Sequence, residues 1–206
     1  MHIIKSKEKK ERSLQAKLGL KAHRCNSPKC AMVRRPNKPG VHGGKFARAG
    51  SEFKQQLVEK QRIKVSYGLT EKQIRSIFRT ALGNKKSVTN AIVSKLETRL
   101  DNVVFRLGLA PSRIVARQIV GHGHIIVNKR KVTIPSFAVS VGDVISVREQ
   151  DKHSALFKEL PGTLRATAVD SWLSLDPALL TGTVNRMPEG VQLPFNINLV
   201  VDYFSR

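Results

Sequence analysis

Leu96-Glu97-Thr98-Arg99-Leu100-Asp101-Asn102-Val103-Val104-Phe105-Arg106-Leu107-Gly108-Leu109-Ala110-Pro111-Ser112-Arg113 is the stretch on which the fold turns. Leu96, Leu100, Val103, Val104 and Leu107 follow the i, i+4, i+7, i+8 spacing that lines one buried stripe of a helix, and Arg99 and Arg106 fall off that stripe. Gly108 closes this helix, Ala110-Pro111 restarts the chain, and Ser112 is placed to accept from the first free amides of a second helix. Val115, Ala116, Ile119 and Val120 supply the apolar face of that second helix, with Arg113, Arg117 and Gln118 carried along it, and Gly121 and Gly123 end it. The chain then turns β-branched, so strands are expected over 124–127, 131–134 and 144–148. Asn128 opens the first turn, where Lys129, Arg130 and Lys131 stand at an exposed tip, and Gly142-Asp143 makes the turn into the third strand. Two short amphipathic helices on a small sheet, with basic residues strung along one side, form an α+β module suited to nucleic acid.

Composition points the same way. Lys and Arg number 37 against 15 Asp and Glu, a net charge of +22 in 206 residues. The imbalance is local: residues 1–95 carry 24 basic and 5 acidic side chains, residues 96–150 carry 8 and 4, and residues 151–206 carry 5 and 6. A basic half of this kind is an electrostatic footprint for a polyanion, because each neutralised phosphate releases a counterion. No apolar run approaches the roughly 18 residues that span a bilayer, and no secretory h-region follows Met1, so no membrane partner is expected. Glu8 and Glu11 argue against a transit peptide, and two cysteines in a chain this long make no disulfide framework, which fits a reducing compartment.

Residues 1–50 are rich in Lys, Arg, Gly and Pro and poor in apolar residues, so a basic extended arm that orders on its partner is expected there. Residues 51–95 read as helical. Thr70 and Gln73 have capping-box spacing; Ile74, Ile77, Phe78 and Ala81 share one face, and Lys72, Arg75 and Arg79 share a narrow stripe opposite. The preceding helix repeats the arrangement more loosely, with Phe53, Leu57 and Val58 apolar and Lys60, Arg62 and Lys64 basic, and Tyr67-Gly68 separates the two. The module occupies 96–160. The C-terminal segment, 161–206, is expected to pack back on the rest and to contact a partner protein, with short extended pieces at Trp172-Leu173, Thr183-Val184 and Asn198-Leu199-Val200-Val201.

Glu97-Thr98-Arg99-Leu100-Asp101-Asn102-Val103-Val104, Ser112-Arg113, Ala116-Arg117-Gln118-Ile119-Val120, Gly123-His124-Ile125 and Val127-Asn128 closely resemble the small RNA-binding module named after ribosomal protein four of the small subunit, the alpha-L RNA-binding motif. Lys129 stands where that module commonly has glycine, which puts a tight two-residue hairpin in question. The flanks resemble the ribosomal family itself: Pro39-Gly40-Val41-His42-Gly43, Glu59-Lys60-Gln61, Tyr67-Gly68, Glu71-Lys72-Gln73, Trp172-Leu173 and Tyr203-Phe204-Ser205-Arg206. The match runs from about Cys25 onward. The resemblance implies a primary binder of small-subunit ribosomal RNA in the cytoplasmic rather than an organellar ribosome, one that nucleates assembly of the 5′ domain and contributes to decoding accuracy. Lys60, Gln61, Arg62, Lys64, Tyr67, Lys72, Gln73, Arg75 and Arg79 are the expected RNA contacts of the helical region. Arg99, Arg106, Ser112, Arg113, Arg117, His122, His124, Lys129, Arg130 and Lys131 are those of the module. The resemblance further places Lys45 and Arg48 at the channel by which messenger RNA enters, and Tyr203, Phe204, Ser205 and Arg206 against the fifth small-subunit protein.

Rival chemistries are weighed on the same residues. Arg99-Leu100-Asp101 resembles the Arg-Leu-Asp core of pseudouridine synthases, but Leu100 sits on the core stripe and the Thr-Ser-Gly that follows in that motif is missing. A free-standing RNA-binding factor with the same module would lack the match from Pro39 to Gln73. Some bacterial members of the family hold zinc with four cysteines in the N-terminal segment; this chain has Cys25 and Cys30, and His23 plus His2 or His42 would have to complete a tetrahedron. Reduced thiols and no cofactor are the expectation. No Gly-rich phosphate loop, nucleophile elbow or His-Glu-x-x-His helix is present, so binding rather than turnover is expected.

Overall fold

In a computed structural model the described residues are 6–44, 50–83, 87–158, 160–164 and 169–205. The helices are α1 (Lys7–Leu14), α2 (Ala22–Cys25), α3 (Ala31–Arg34), α4 (Glu52–Ser66), α5 (Glu71–Leu82), α6 (Val88–Glu97), α7 (Leu100–Arg106), α8 (Arg113–His122), α9 (Leu160–Leu164) and α10 (Ile197–Ser205). The strands are β1 (Ile125–Val127), β2 (Arg130–Lys131), β3 (Val144–Val147), β4 (Leu173–Asp176) and β5 (Thr181–Val184). The chain divides into two compact units, Met1–Ile92 with Val191–Arg206, and Val93–Gly190.

In the first unit α5 forms as its spacing predicts. Thr70 Oγ1 accepts from the Gln73 amide at 3.3 Å and Gln73 Oε1 accepts from the Thr70 amide at 2.9 Å, which satisfies two helix-start donors reciprocally. Ile74, Phe78 and Ala81 are buried and Lys72, Arg75 and Arg79 exposed. The expected faces of α4 are wrong. Phe53 is 52 % exposed, whereas Gln56, Glu59, Lys60 and Ile63 are buried. The reason is α10, whose Tyr203 and Phe204 pack against this side of α4 and α5, with ring centroids 5.8 Å from Phe53 and 4.9 Å from Phe78. The predicted extended piece at 198–201 is thus helical, and Ile197 and Val200 are its buried residues.

Residues 6–44 are not an extended arm. Glu11 is 1 % exposed and its Oε1 accepts the amides of Leu18 at 3.0 Å and Leu20 at 3.1 Å, so a buried carboxylate organises the loop after α1. Leu14, Leu20, Cys25 and Cys30 close a small core around it, and Arg62 of α4 donates twice to the Leu14 carbonyl.

The second unit holds the module. Its predicted first helix is in fact broken: Arg99 adopts an extended conformation, φ −67° and ψ 136°, and bridges Ala138, so α6 stops at Glu97 and α7 starts at Leu100. The apolar stripe survives the break, with Leu96, Leu100, Val103, Val104 and Leu107 all buried. Ser112 Oγ caps α8 through the Val115 amide at 3.3 Å, and Gly123 ends it at φ +80°. The sheet is antiparallel in the order β2-β1-β3-β5-β4. Residues 173–184 therefore extend the module's own sheet, and the expected boundary at 160 does not divide the fold. Gly182 suits that junction, because a Cβ there would run into the side chain of Leu107, the residue that follows α7. The tight hairpin is also present: Val127 pairs with Arg130, leaving Asn128 and Lys129 as a two-residue turn at φ +47° and +65°.

Candidate nucleic-acid interface

The predicted cations separate into those that face solvent and those that hold the protein together. On α5, Lys72, Arg75 and Arg79 are exposed and meet no partner among the described residues. Because the apolar face fixes the helix rotation, these three point outward together. At the hairpin tip Lys129, Arg130 and Lys131 are exposed as well. Asn128 fixes that tip: its Nδ2 donates to Asp143 Oδ1 at 2.7 Å and its Oδ1 accepts the Val144 amide at 2.9 Å. The stem of Lys131 crosses Gly123, where a Cβ would have no room, so its charge lies at the C-terminal end of α8. His122 is exposed beside it.

Other predicted contacts make bonds within the protein or are partly or wholly buried. Lys60 is 5 % exposed; its ammonium donates to Glu71 Oε1 at 2.7 Å and to the Tyr203 hydroxyl at 3.1 Å and sits 4.3 Å above the Tyr203 ring. Burial alone opposes that charge, but the bonds to Glu71 and Tyr203 outweigh it and the Lys60 pKa is raised. Glu71 also accepts from Lys64 at 2.7 Å, and the two lysine bonds, Lys60 first, hold its carboxyl below the usual value against the opposing effect of burial. Arg62 is taken up by Glu59 and the Leu14 carbonyl. Tyr67 is 3 % exposed, Gln73 serves the capping box and Gln61 is half-buried.

In the module, Arg99 lies inside the fold, paired through Nε (3.1 Å) and one terminal nitrogen (2.8 Å) with the equally buried Asp101. Leaving such a charge without its partner costs about 3 to 5 kcal/mol. The neighbouring backbone is laced to the loop before β3, with Leu100 N donating to Phe137 O and Val139 N to Thr98 O. Arg106 makes a two-pronged pair with the fully buried Glu97 at 2.9 and 3.1 Å and approaches Asp170 at 3.4 Å. Arg113 donates to Asn102 Oδ1 at 2.8 Å and stacks over Phe105, and Arg117 reaches Asp101 at 3.4 Å. Arg113 and Arg117 are half-buried, so they combine a structural anchor with an accessible edge. Ser112 is buried as the α8 cap, and His124 is held by Asp151 at 2.9 Å. Tyr203 and Phe204 are half-buried on α4 and α5 and Ser205 is exposed; Lys45, Arg48 and Arg206 lie outside the described residues.

The cysteines are reduced and buried. Burial raises the Cys25 thiol, and the Glu11 carboxylate, with both oxygens 3.9 Å from Sγ, adds to the rise. His23 and His42 are exposed, and His2 is outside the described residues. Among the described residues no group of three His, Cys, Asp or Glu is placed to hold a metal ion.

Two helices on an antiparallel sheet with a cationic tip define an S4-domain protein, and a family profile described as "S4 domain" matches residues 98–145. A second, "Ribosomal protein S4/S9 N-terminal domain", matches residues 3–98. The chain is 47 % identical over 193 residues to small ribosomal subunit protein uS4 of Thermus thermophilus, 46 % over 192 residues to that of Desulfitobacterium hafniense and 41 % over 192 residues to that of Kosmotoga olearia. In each case 92 % of both chains is covered. The chain belongs to the uS4 family of small ribosomal subunit proteins.

Proposed function

We propose that this protein is a structural constituent of the small ribosomal subunit that binds the subunit's RNA through its backbone. The carrying observation is the α5 stripe of Lys72, Arg75 and Arg79, three outward cations unpartnered among the described residues on a helix whose other face is core. Such a stripe neutralises phosphates where RNA helices converge and reads shape rather than base sequence. Family membership supports the finer reading: a primary binder that nucleates the 5′ domain in the cytoplasmic ribosome and contributes to accuracy, acting by binding rather than catalysis and without a cofactor. Lys45 and Arg48 at the incoming messenger RNA, and the C-terminal end against the fifth small-subunit protein, belong to the same proposal. It is tested by the triple change of Lys72, Arg75 and Arg79 to Ala. Binding to a 5′-domain transcript should weaken, and the slope of log affinity against log salt should fall by about 2 to 3. The melting temperature should hold. An unchanged slope would reject the assignment.

A further inference from the structure

Where α8 runs into β1 the chain carries a cluster that binding alone does not use. His122 ends α8 and is exposed, Gly123 turns the chain at φ +80°, and His124 follows, its ring centroid 6.0 Å from that of His122 in an edge-to-face arrangement. The His124 ring is fixed from behind. Its Nδ1 lies 2.9 Å from Asp151 Oδ2, its carbonyl accepts the Arg148 amide at 2.8 Å, and it meets the fully buried Phe157 edge-on at 6.1 Å. Its side chain nonetheless stays 25 % accessible. Lys131 lies over Gly123, with Nζ 2.9 Å from where a Cβ on that glycine would stand, and so brings an ammonium to the residue that separates the two histidines.

Two imidazoles this close, one of them oriented by a carboxylate and with a cation alongside, are the parts that acid–base attack on a phosphodiester needs. With Asp151 accepting the Nδ1 proton of His124, the lone pair sits on Nε2 and a base is presented. Asp151 also stabilises the imidazolium that forms when this base takes a proton. His122 is near enough for one phosphate to touch both rings, and Lys131 offsets the charge that builds on the phosphoryl oxygens. The exposed Lys129 and Arg130 at the hairpin tip draw the polyanion to the same place.

We propose that His122, His124, Asp151 and Lys131 cleave flexible single-stranded RNA by transesterification. His124 takes the proton of a ribose 2′-hydroxyl, and the 2′-oxygen bonds to phosphorus as the bond from phosphorus to the 5′-oxygen breaks. His122 gives its proton to that leaving oxygen. The products are a 2′,3′-cyclic phosphate end and a 5′-hydroxyl end, and solvent returns the proton from His124 to His122, so only RNA is consumed. The two histidines are the catalytic residues and Asp151 is a positioning residue. Folded RNA is spared, because attacking and leaving oxygens must stand in line and a helical backbone holds them out of that alignment. The activity is additional to the structural role and rests on the RNA-binding reading for delivery of its substrate.

The test uses the full chain in EDTA and a single-stranded DNA oligonucleotide carrying one ribonucleotide, with the all-DNA strand as control. The chimera should be cut at its ribonucleotide to leave a 2′,3′-cyclic phosphate, and the all-DNA strand should stay whole. His122→Ala and His124→Ala, purified identically, should each slow cleavage by about 100-fold or more. His122 is exposed, so its replacement should leave the melting temperature unchanged. Asp151→Asn should lower kcat by about 10-fold or more with KM held, and an unchanged kcat would overturn its positioning role. Binding of a small-subunit 5′-domain transcript is measured on the same preparations. If the wild-type chain binds the transcript and leaves the chimera whole, this proposal alone falls; if it does neither, the RNA reading falls with it. Cleavage undiminished in both histidine variants would belong to a contaminating nuclease and overturn the proposal equally.

Discussion

Lys129 occupies the left-handed region at φ +65°, where an L side chain brings its Cβ against the following carbonyl. Asn128, at φ +47°, is eased by its side-chain bonds to Asp143 and Val144, but Lys129 has no comparable compensation among the described residues. A non-glycine residue held there next to two further exposed cations indicates that the charge matters more than the strain. Lys129→Gly should therefore raise stability by about 1 kcal/mol, read as a higher urea midpoint, while weakening RNA binding. A lower midpoint would show that the turn is not strained. Glu11 illustrates the opposite relation, since its buried carboxylate accepts two amides and so serves the local fold.

At the scale of elements, the clasp of α4, α5 and α10 is electrostatic as well as aromatic. The folded pKa of Glu71 lies below its ordinary 4.5, so the lysine bonds contribute fully above pH 4.5 and are lost as pH falls through the lowered value. The Lys60 pKa lies above 10.5, so its share is complete below pH 10.5 and is lost as pH rises through the raised value. Glu71→Gln should lower the melting temperature at neutral pH and flatten its decline as pH falls below 4.5. A variant whose acid limb matches that of the parent would place the acid sensitivity elsewhere. In the module, the pairs of Arg99 with Asp101 and Arg106 with Glu97 tie α6, α7 and the loop before β3 together, so those arginines are framework.

Across the whole molecule, charge and fold are distributed differently. The basic excess sits in residues 1–95, yet the unit containing most of them is closed by α10 from the far end of the chain. That unit is tied together by the bonds of Glu11, Arg62 and Lys60, and Cys25 is buried beside the Glu11 carboxylate, which already accepts backbone amides. Prolonged dialysis against a strong chelator, or addition of zinc at neutral pH, should leave the melting curve unshifted, since a bound structural metal would add folding free energy. A chelator-induced drop would overturn this.

Features set within a helical turn or a strand pair were legible in the sequence. The capping box of α5, its outward cation stripe, the Ser112 cap and Gly123 terminus of α8 and the first and third module strands depend on residues three or four apart or on local β-branched runs, and a short window contains them, whereas the strand expected at 131–134 is only Arg130–Lys131. The charge asymmetry needed only counting. Which cations remain available was decided by tertiary structure, because a cation is used up only when a distant acid, carbonyl or ring reaches it. Lys60 meets Tyr203 across 143 positions, and Arg62 meets Leu14 across 48. Arg99 looked solvent-facing as long as one helix was assumed to run through it; the extended kink that turns it inward is made by the loop at 135–139. The α10 helix and the β4–β5 hairpin likewise take their places from the faces they cover, and no local pattern in their own residues specified those partners.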